Sequence, residues 1–316
     1  MRRCTLLLPA ILSAALHAQN VRGVAVSALP GIPLTGQETI VWTHQVSDKT
    51  VTTRVAGTVA RDSQGRTYRE VHRLTVDPVD PRTNLMRITL QDPAAGITTD
   101  CDLSTHLCKT SPFPAATAAK TAPVTRQTVK EDLGSHLIDG LTATGTRITQ
   151  TPTPNPLDPS QTADKKDDPS IVELWRSADL KVDLSELRKY PDGEVQDVHL
   201  AITSREEPDP KIFSIPAGFT IVRRIGGNVS APVLIYSVAP EFTEQAKKAK
   251  IAGNVLVNVV IDQNGIPTNV RVVRGIGNGL DEKAVEAVSK YRFKPSMERG
   301  QPVPVEINIE VNFQSF

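Results

Sequence analysis

Cys101 and Cys108 lie in TTDCDLSTHLCKT, and three chemistries suit such a pair: a disulfide, a metal site or a thiol nucleophile. A metal site would have to enlist His106 between them, giving three ligands at awkward spacing. A nucleophile needs a free thiol and a partnered base, but His44, His72, His106, His136 and His199 are scattered. No H-E-x-x-H or G-x-S-x-G occurs. The glycines of RGIGNGLD (274–281) precede a helix pattern, yet no Lys-Ser/Thr follows and Asp281 would repel an anion, so a structural turn is expected. Glu206 and Glu207 sit in a Pro-rich strand exit and read as solvated. The reading is therefore no enzyme, no cofactor and no metal. A disulfide is expected wherever the compartment is oxidising, and closing so short a loop contributes roughly 2–3 kcal/mol.

The amino terminus addresses that condition. MRRCTLLLPAILSAALHAQN carries two arginines and then an apolar run from Leu6 to Leu16, the pattern of a secretory signal and too short for the ~20 residues of a spanning helix. Cleavage after Ala18 is expected, with residues 1–18 as signal peptide and export to the periplasm. The alternative is an uncleaved signal that anchors the chain in the inner membrane. Cys4 is followed by Thr5 and does not read as a lipidation site. Over 316 residues, Lys+Arg 36 against Asp+Glu 35 leaves no basic excess, and 4% aromatic residues are too few for stacking bases. Nucleic acid is not an expected partner.

The elements that would carry a site begin at Glu38. From there to Phe219 the chain reads as short strands between turns, in ETIVWTHQV, TTRVAGTVARD, SQGRTYREVHRLTV and MRITLQDPAAGITTDCDL. HLIDGLTATGTRIT, IVELWRSADLKVDLSEL and EVQDVHLAITSREE continue the pattern. An antiparallel β-rich domain over 19–222 is expected, with Pro-rich loops at 111–123 and 151–170. DSQGRTYRE, DPAAG, EDLGSHLIDGLTATGTR and EEPDPKIFSIPAGFTI resemble a family of exported acidobacterial proteins. The strand plan ending in F-x-I-P-x-G-F is also similar to periplasmic carriers of the LolA/LolB type. That resemblance implies a half-barrel and a lipid or lipoprotein cargo. The plain alternative is a sheet domain that displays or dimerises the chain.

After a linker at 223–231 the pattern sharpens into a second domain, 232–316. A short helix in EFTEQAKKAK should turn Ala246 and Ala249 inward. KIAGNVLVNVVIDQNGIPTNVRVVRG is a hairpin turning at Asn264-Gly265, with Val255, Val257, Val259 and Ile261 on one face. Asp281 is expected to cap a helix in which Leu280, Ala284, Val288 and Tyr291 form one stripe, and Pro295 to stop it. The last strand alternates Val303, Val305, Ile307, Ile309, Val311 and Phe313 with Pro304, Glu306, Asn308, Glu310 and Asn312. The fold class is α+β: the β-rich domain, then a β-β-α-β module.

The run from GNVLVNVVIDQNG through VRVVRG and GLDEKAVEAVSKYRFKP to GQPVPVEINIEVNF resembles the TonB C-terminal domain. The resemblance implies a periplasmic protein-binding module that takes a segment of an outer-membrane transporter as an added strand beside its last strand. Val303 and residues 305–313 are then the partner edge, with Val305, Ile307, Ile309 and Val311 serving as core and Glu306 and Glu310 as edge guards or, alternatively, selectivity charges. Transport across the outer membrane is the implied setting. The family's Tyr-Pro pair is replaced by Phe242-Thr243, which leaves Tyr236 and Phe242 as weaker contact candidates. The family's membrane helix and Pro-rich spacer have no counterpart in this reading, so coupling to an inner-membrane motor is not expected. Other envelope proteins, or a second copy through the last strand, are the remaining partners. The other reading of the whole is a lipid or lipoprotein carrier with the C-terminal module as its docking device. Amino-terminal sequencing of protein from the soluble periplasmic fraction is expected to start at or near Gln19. An intact Met1 in the inner-membrane fraction would restore the anchored reading.

Overall fold

The computed structural model describes residues 23–24, 26–46, 49–73, 85–113, 126–152 and 169–314. The expected signal peptide and most of both Pro-rich stretches lie outside them. In chain order the first strands are β1 (Leu34–Val46), β2 (Lys49–Arg61), β3 (Thr67–Arg73), β4 (Leu85–Asp92), β5 (Ile97–Asp102) and β6 (Leu107–Pro112). Then come β7 (Arg126–Ile138), β8 (Leu141–Pro152), β9 (Ser170–Ser177), β10 (Val182–Lys189), β11 (Val195–Ser204), β12 (Thr220–Val222) and β13 (Val233–Tyr236). Helix α1 (Glu244–Ala249) leads to β14 (Gly253–Ile261), β15 (Pro267–Arg274) and helix α2 (Leu280–Ser289). The chain closes with β16 (Arg292–Lys294), β17 (Ser296–Glu298), β18 (Gln301–Val303) and β19 (Val305–Phe313). Among the described residues strands take 59% and helices 8%, so this part of the protein is strand-rich.

Two compact units form, Met1–Thr98 with Pro112–Ser214, and Thr99–Ser111 with Ile215–Phe316. The cysteine hairpin therefore groups with the C-terminal unit. So do residues 223–231: Arg223 N donates to Pro304 O at 2.8 Å, and Ser230 N to Met297 O at 3.0 Å.

In the N-terminal unit the sheet runs β4-β3-β2-β1-β11-β10-β9-β8-β7, with each neighbouring pair antiparallel. Its core gathers Leu34, Ile40, Val55, Val59, Leu184, Val198 and Leu200 from alternate positions. The β7–β8 hairpin bends where the register shifts between Asp132 and Gly134, Gly134 having φ 75. Its tip returns over the sheet, Ile138 and Leu141 packing on the core and Asp139 meeting His199 at 2.8 Å. The leading segment is tied down by buried charge. Glu38, 1% exposed, accepts from Val24 N at 2.6 Å and pairs with Arg69. Arg61, fully buried, donates to the carbonyls of Ile32, Ser27 and Leu180, and its burial lowers its pKa.

In the C-terminal unit a sheet of order β15-β14-β19 packs on α2. Val255, Val257, Val259 and Ile261 are buried against Leu280, Ala284 and Val288, as their spacing demands. Gly265 has φ 77, and a Cβ there would lie 1.8 Å from Phe293 O, so only glycine fits the turn. Four local expectations are corrected. Gly279, not Asp281, is the α2 cap residue; Asp281 instead accepts from Ile276 N at 2.8 Å and Gly277 N at 3.2 Å, closing the preceding loop. Helix α2 ends at Ser289, whose hydroxyl donates to Val285 O, ahead of Pro295. In α1, Ala246 is buried but Ala249 is exposed, because six residues present only one inward position. The last strand breaks at Pro304, Val303 pairing with Ser296 in a separate ribbon.

Cys101 and Cys108 form the disulfide, both fully buried. Replacing both by serine is expected to cost the C-terminal unit about 2–3 kcal/mol, read as a lower urea midpoint. An unchanged midpoint would mean that packing alone holds the hairpin.

Candidate functional site

Strand β19 lies at one edge of its three-stranded sheet and pairs with β14, from Val305 opposite Ile261 to Phe313 opposite Gly253. Val305, Val311 and Phe313 are buried on the helix side, with Ile307 and Ile309 half-buried beside them. Glu306, Asn308, Glu310 and Asn312 take the other face. There Asn258 donates to Asn308 at 2.8 Å and Asn254 to Glu310 at 2.6 Å. Glu306 is held between Lys109 at 2.5 Å and Arg271 at 2.9 Å, with its side chain 13% exposed. It is engaged within its own unit, and Glu310 is the more open of the two.

The outer side of β19 is partly occupied. Arg223 bridges Val305 in parallel, and its N–H meets the Pro304 carbonyl, so the Pro304 carbonyl points away from β14. Backbone groups alternate along a strand, so Glu306, Asn308, Glu310 and Asn312 direct theirs outward as well. With Arg223 covering the first turnout, Asn308, Glu310 and Asn312 present the open stretch.

The second face of the sheet is covered at one end. Val260, 1% exposed, clusters with Leu107 of the cysteine hairpin and Val222 of β12. Strand β12 pairs in parallel with β6, and Asn269 donates to Thr105 O at 2.5 Å. In the hairpin turn Asp102 accepts from the hydroxyl and amide of Ser104 and from Thr105 N. Burial opposes its ionised form, but these hydrogen bonds prevail and lower its pKa. Sequence reasoning missed this cover. The signal available was the unbroken run Val259–Val260–Ile261, which calls for burial on both faces.

The two aromatic candidates separate. Tyr236 is 57% exposed. Phe242 packs edge-on against Phe313 with centroids 5.5 Å apart, as part of the core. Phe242→Ala is therefore expected to lower stability by about 2–3 kcal/mol in a urea titration. It should leave peptide affinity unchanged in buffer where the variant stays folded. A loss of affinity at full foldedness would make Phe242 a contact residue.

Among the described residues no three His, Cys, Asp or Glu side chains converge on a point that could hold a metal ion. No helix among them is long and apolar enough to cross a membrane.

Comparison with known proteins finds matches to parts of the chain. The TonB protein of Xanthomonas campestris pv. campestris is 35% identical over 75 residues, 23% of this chain and 34% of that protein. TonB of Vibrio cholerae is 30% identical over 88 residues, 27% of this chain and 36% of that protein. The chain thus spans about a third of the length of the curated relatives it matches. Among solved structures, MucB covers 65% of this chain and 66% of its own at 13% identity and TM-score 0.31. A LolA superfamily protein from Nitrosomonas europaea covers 60% and 98% at 12% identity and TM-score 0.27. Residues 238–315 match the family model of the Gram-negative bacterial TonB protein C-terminal, and the assignment extends to that segment of the chain.

Proposed function

We propose that the C-terminal unit is a protein-binding module of the cell envelope, which takes an extended segment of a partner as an additional strand beside β19. The partner class is the outer-membrane transporter, and transport across that membrane is the setting. The observation that carries this reading is the edge position of β19, whose outward backbone groups from Asn308 to Asn312 are aligned for a fourth strand. The TonB match over 238–315 supports the same partner class. The buried disulfide supports an oxidising compartment, the periplasm.

The magnitude follows from the open length. Three residues offer at most six backbone hydrogen bonds of about 1 kcal/mol net each, before the cost of ordering the peptide. Affinity in the high-micromolar to millimolar range is expected, suited to a contact that forms and releases readily.

The test is a titration of the exported chain with a ten-residue peptide from the N-terminus of an outer-membrane transporter of the same cell. Amide shifts should concentrate on β19. Asn308→Pro removes an outward N–H and is expected to weaken binding at least tenfold. Asn308→Ala, which keeps the N–H, should bind within twofold of the parent. Equal binding by the proline variant, with the sheet intact by circular dichroism, would remove β19 as the docking edge.

A further inference from the structure

A second edge in the C-terminal unit has an anomaly that the β19 reading does not absorb. Strand β13 is Val-Leu-Ile-Tyr, and all four residues are exposed: Val233 56%, Leu234 48%, Ile235 67% and Tyr236 57%. Among the described residues it pairs only with β16, which leaves its other side an open edge. A run of four exposed apolar residues on an edge strand is a liability that folded chains blunt with charge. The two edges of the three-stranded sheet follow that rule, with Arg271 and Arg274 on β15 and Glu306 and Glu310 on β19. Strand β13 has no charge in its four positions.

The charge lies one strand away and is of one sign. Val233 stands opposite Lys294 and Tyr236 opposite Arg292, while Leu234 stands opposite the buried Phe293. Directly opposed residues share a face, so Lys294 and Arg292 flank Val233 and Tyr236 on the outer face of the ribbon. Both cations are exposed, and neither has a carboxylate within ion-pair distance among the described residues; Arg292 donates only to Tyr291 O at 2.7 Å. A strand added to β13 would sit two strand spacings, about 10 Å, from β16. Lysine and arginine side chains bridge most of that distance to an acidic side chain on the same face.

We propose that β13 is a second docking edge, and that its occupant is an extended protein segment alternating apolar and acidic residues. Charge complementarity selects an acidic partner. The open backbone edge selects a strand rather than a lipid surface, because unpaired N–H and C=O groups entering hydrocarbon would go unsatisfied. A second copy of β13 would supply the strand but bring two more cations and no acid. This edge is separate from β19, and the inference stands or falls apart from the reading given for that strand.

The experiment uses the exported chain and two capped hexapeptides, one alternating Asp and Val and the other Lys and Val, at low salt. The acidic peptide is expected to shift β13 amides and to bind at least tenfold more tightly than the basic one. That preference should shrink as salt rises. The double variant Arg292→Glu, Lys294→Glu should reverse it. Replacing Ile235 and Tyr236 by threonine should weaken the acidic peptide at least fivefold, while Asn308→Pro leaves its affinity unchanged. Equal affinity for both peptides, or shifts away from β13, would overturn the proposal. Molecular mass rising with concentration and lost in the threonine variant would assign the edge to a second copy. Sedimentation with phosphatidylglycerol vesicles without any peptide preference would assign it to a membrane surface. Either result would replace the proposal.

Discussion

The C-terminal unit depends on the burial of β14 on both faces. Val255, Val257, Val259 and Ile261 press against α2, and Val260 presses the other way onto Leu107 and Val222. Strand β14 also hydrogen-bonds to β15 on one side and to β19 on the other, so it takes the one interior position of the three-stranded sheet. That constraint leaves β15 and β19 as edges, and an edge strand can recruit another chain. The apolar core of this unit and its two open edges are therefore two consequences of one packing choice.

How much each edge is open is decided by polar contacts. On β19 the bridge from Arg223 covers the start, and Lys109 with Arg271 neutralises Glu306. What remains is a short stretch with Asn308, Glu310 and Asn312 facing outward, bonded on one side face to Asn254 and Asn258. Such an edge discourages aggregation, since its polar side chains keep water close. Strand β13 is the opposite case, apolar along its length and guarded only by cations on the neighbouring strand.

The N-terminal unit organises itself around buried charge. Glu38 and Arg61 fasten the leading segment across the sheet through backbone groups of Val24, Ser27, Ile32 and Leu180. Removing one partner of such a cluster leaves an uncompensated charge in the interior, which costs far more than the contact itself contributes. The hairpin tip around Asp139 closes over the same core, so the sheet's apolar face is filled from two directions by its own chain.

The sequence by itself determined the elements whose side chains alternate without interruption. The face of β14, the stripe of α2, the turn at Gly265 and the outer half of β19 were legible because periods of two and 3.6 residues leave no other side to bury. The disulfide was legible from the spacing of the two cysteines and the expectation of export. Tertiary structure decided what depends on residues far apart in the chain. Lys109 reaches Glu306, Asn269 reaches Thr105, and the cysteine hairpin joins the C-terminal unit, none of which a local pattern encodes. It also decided that Phe242 serves the core through Phe313 while Tyr236 stays at the surface, two aromatics that the sequence treats alike. The reason is physical: periodicity reports which way a side chain faces within its own element, whereas exposure and pairing depend on which other element arrives at that face.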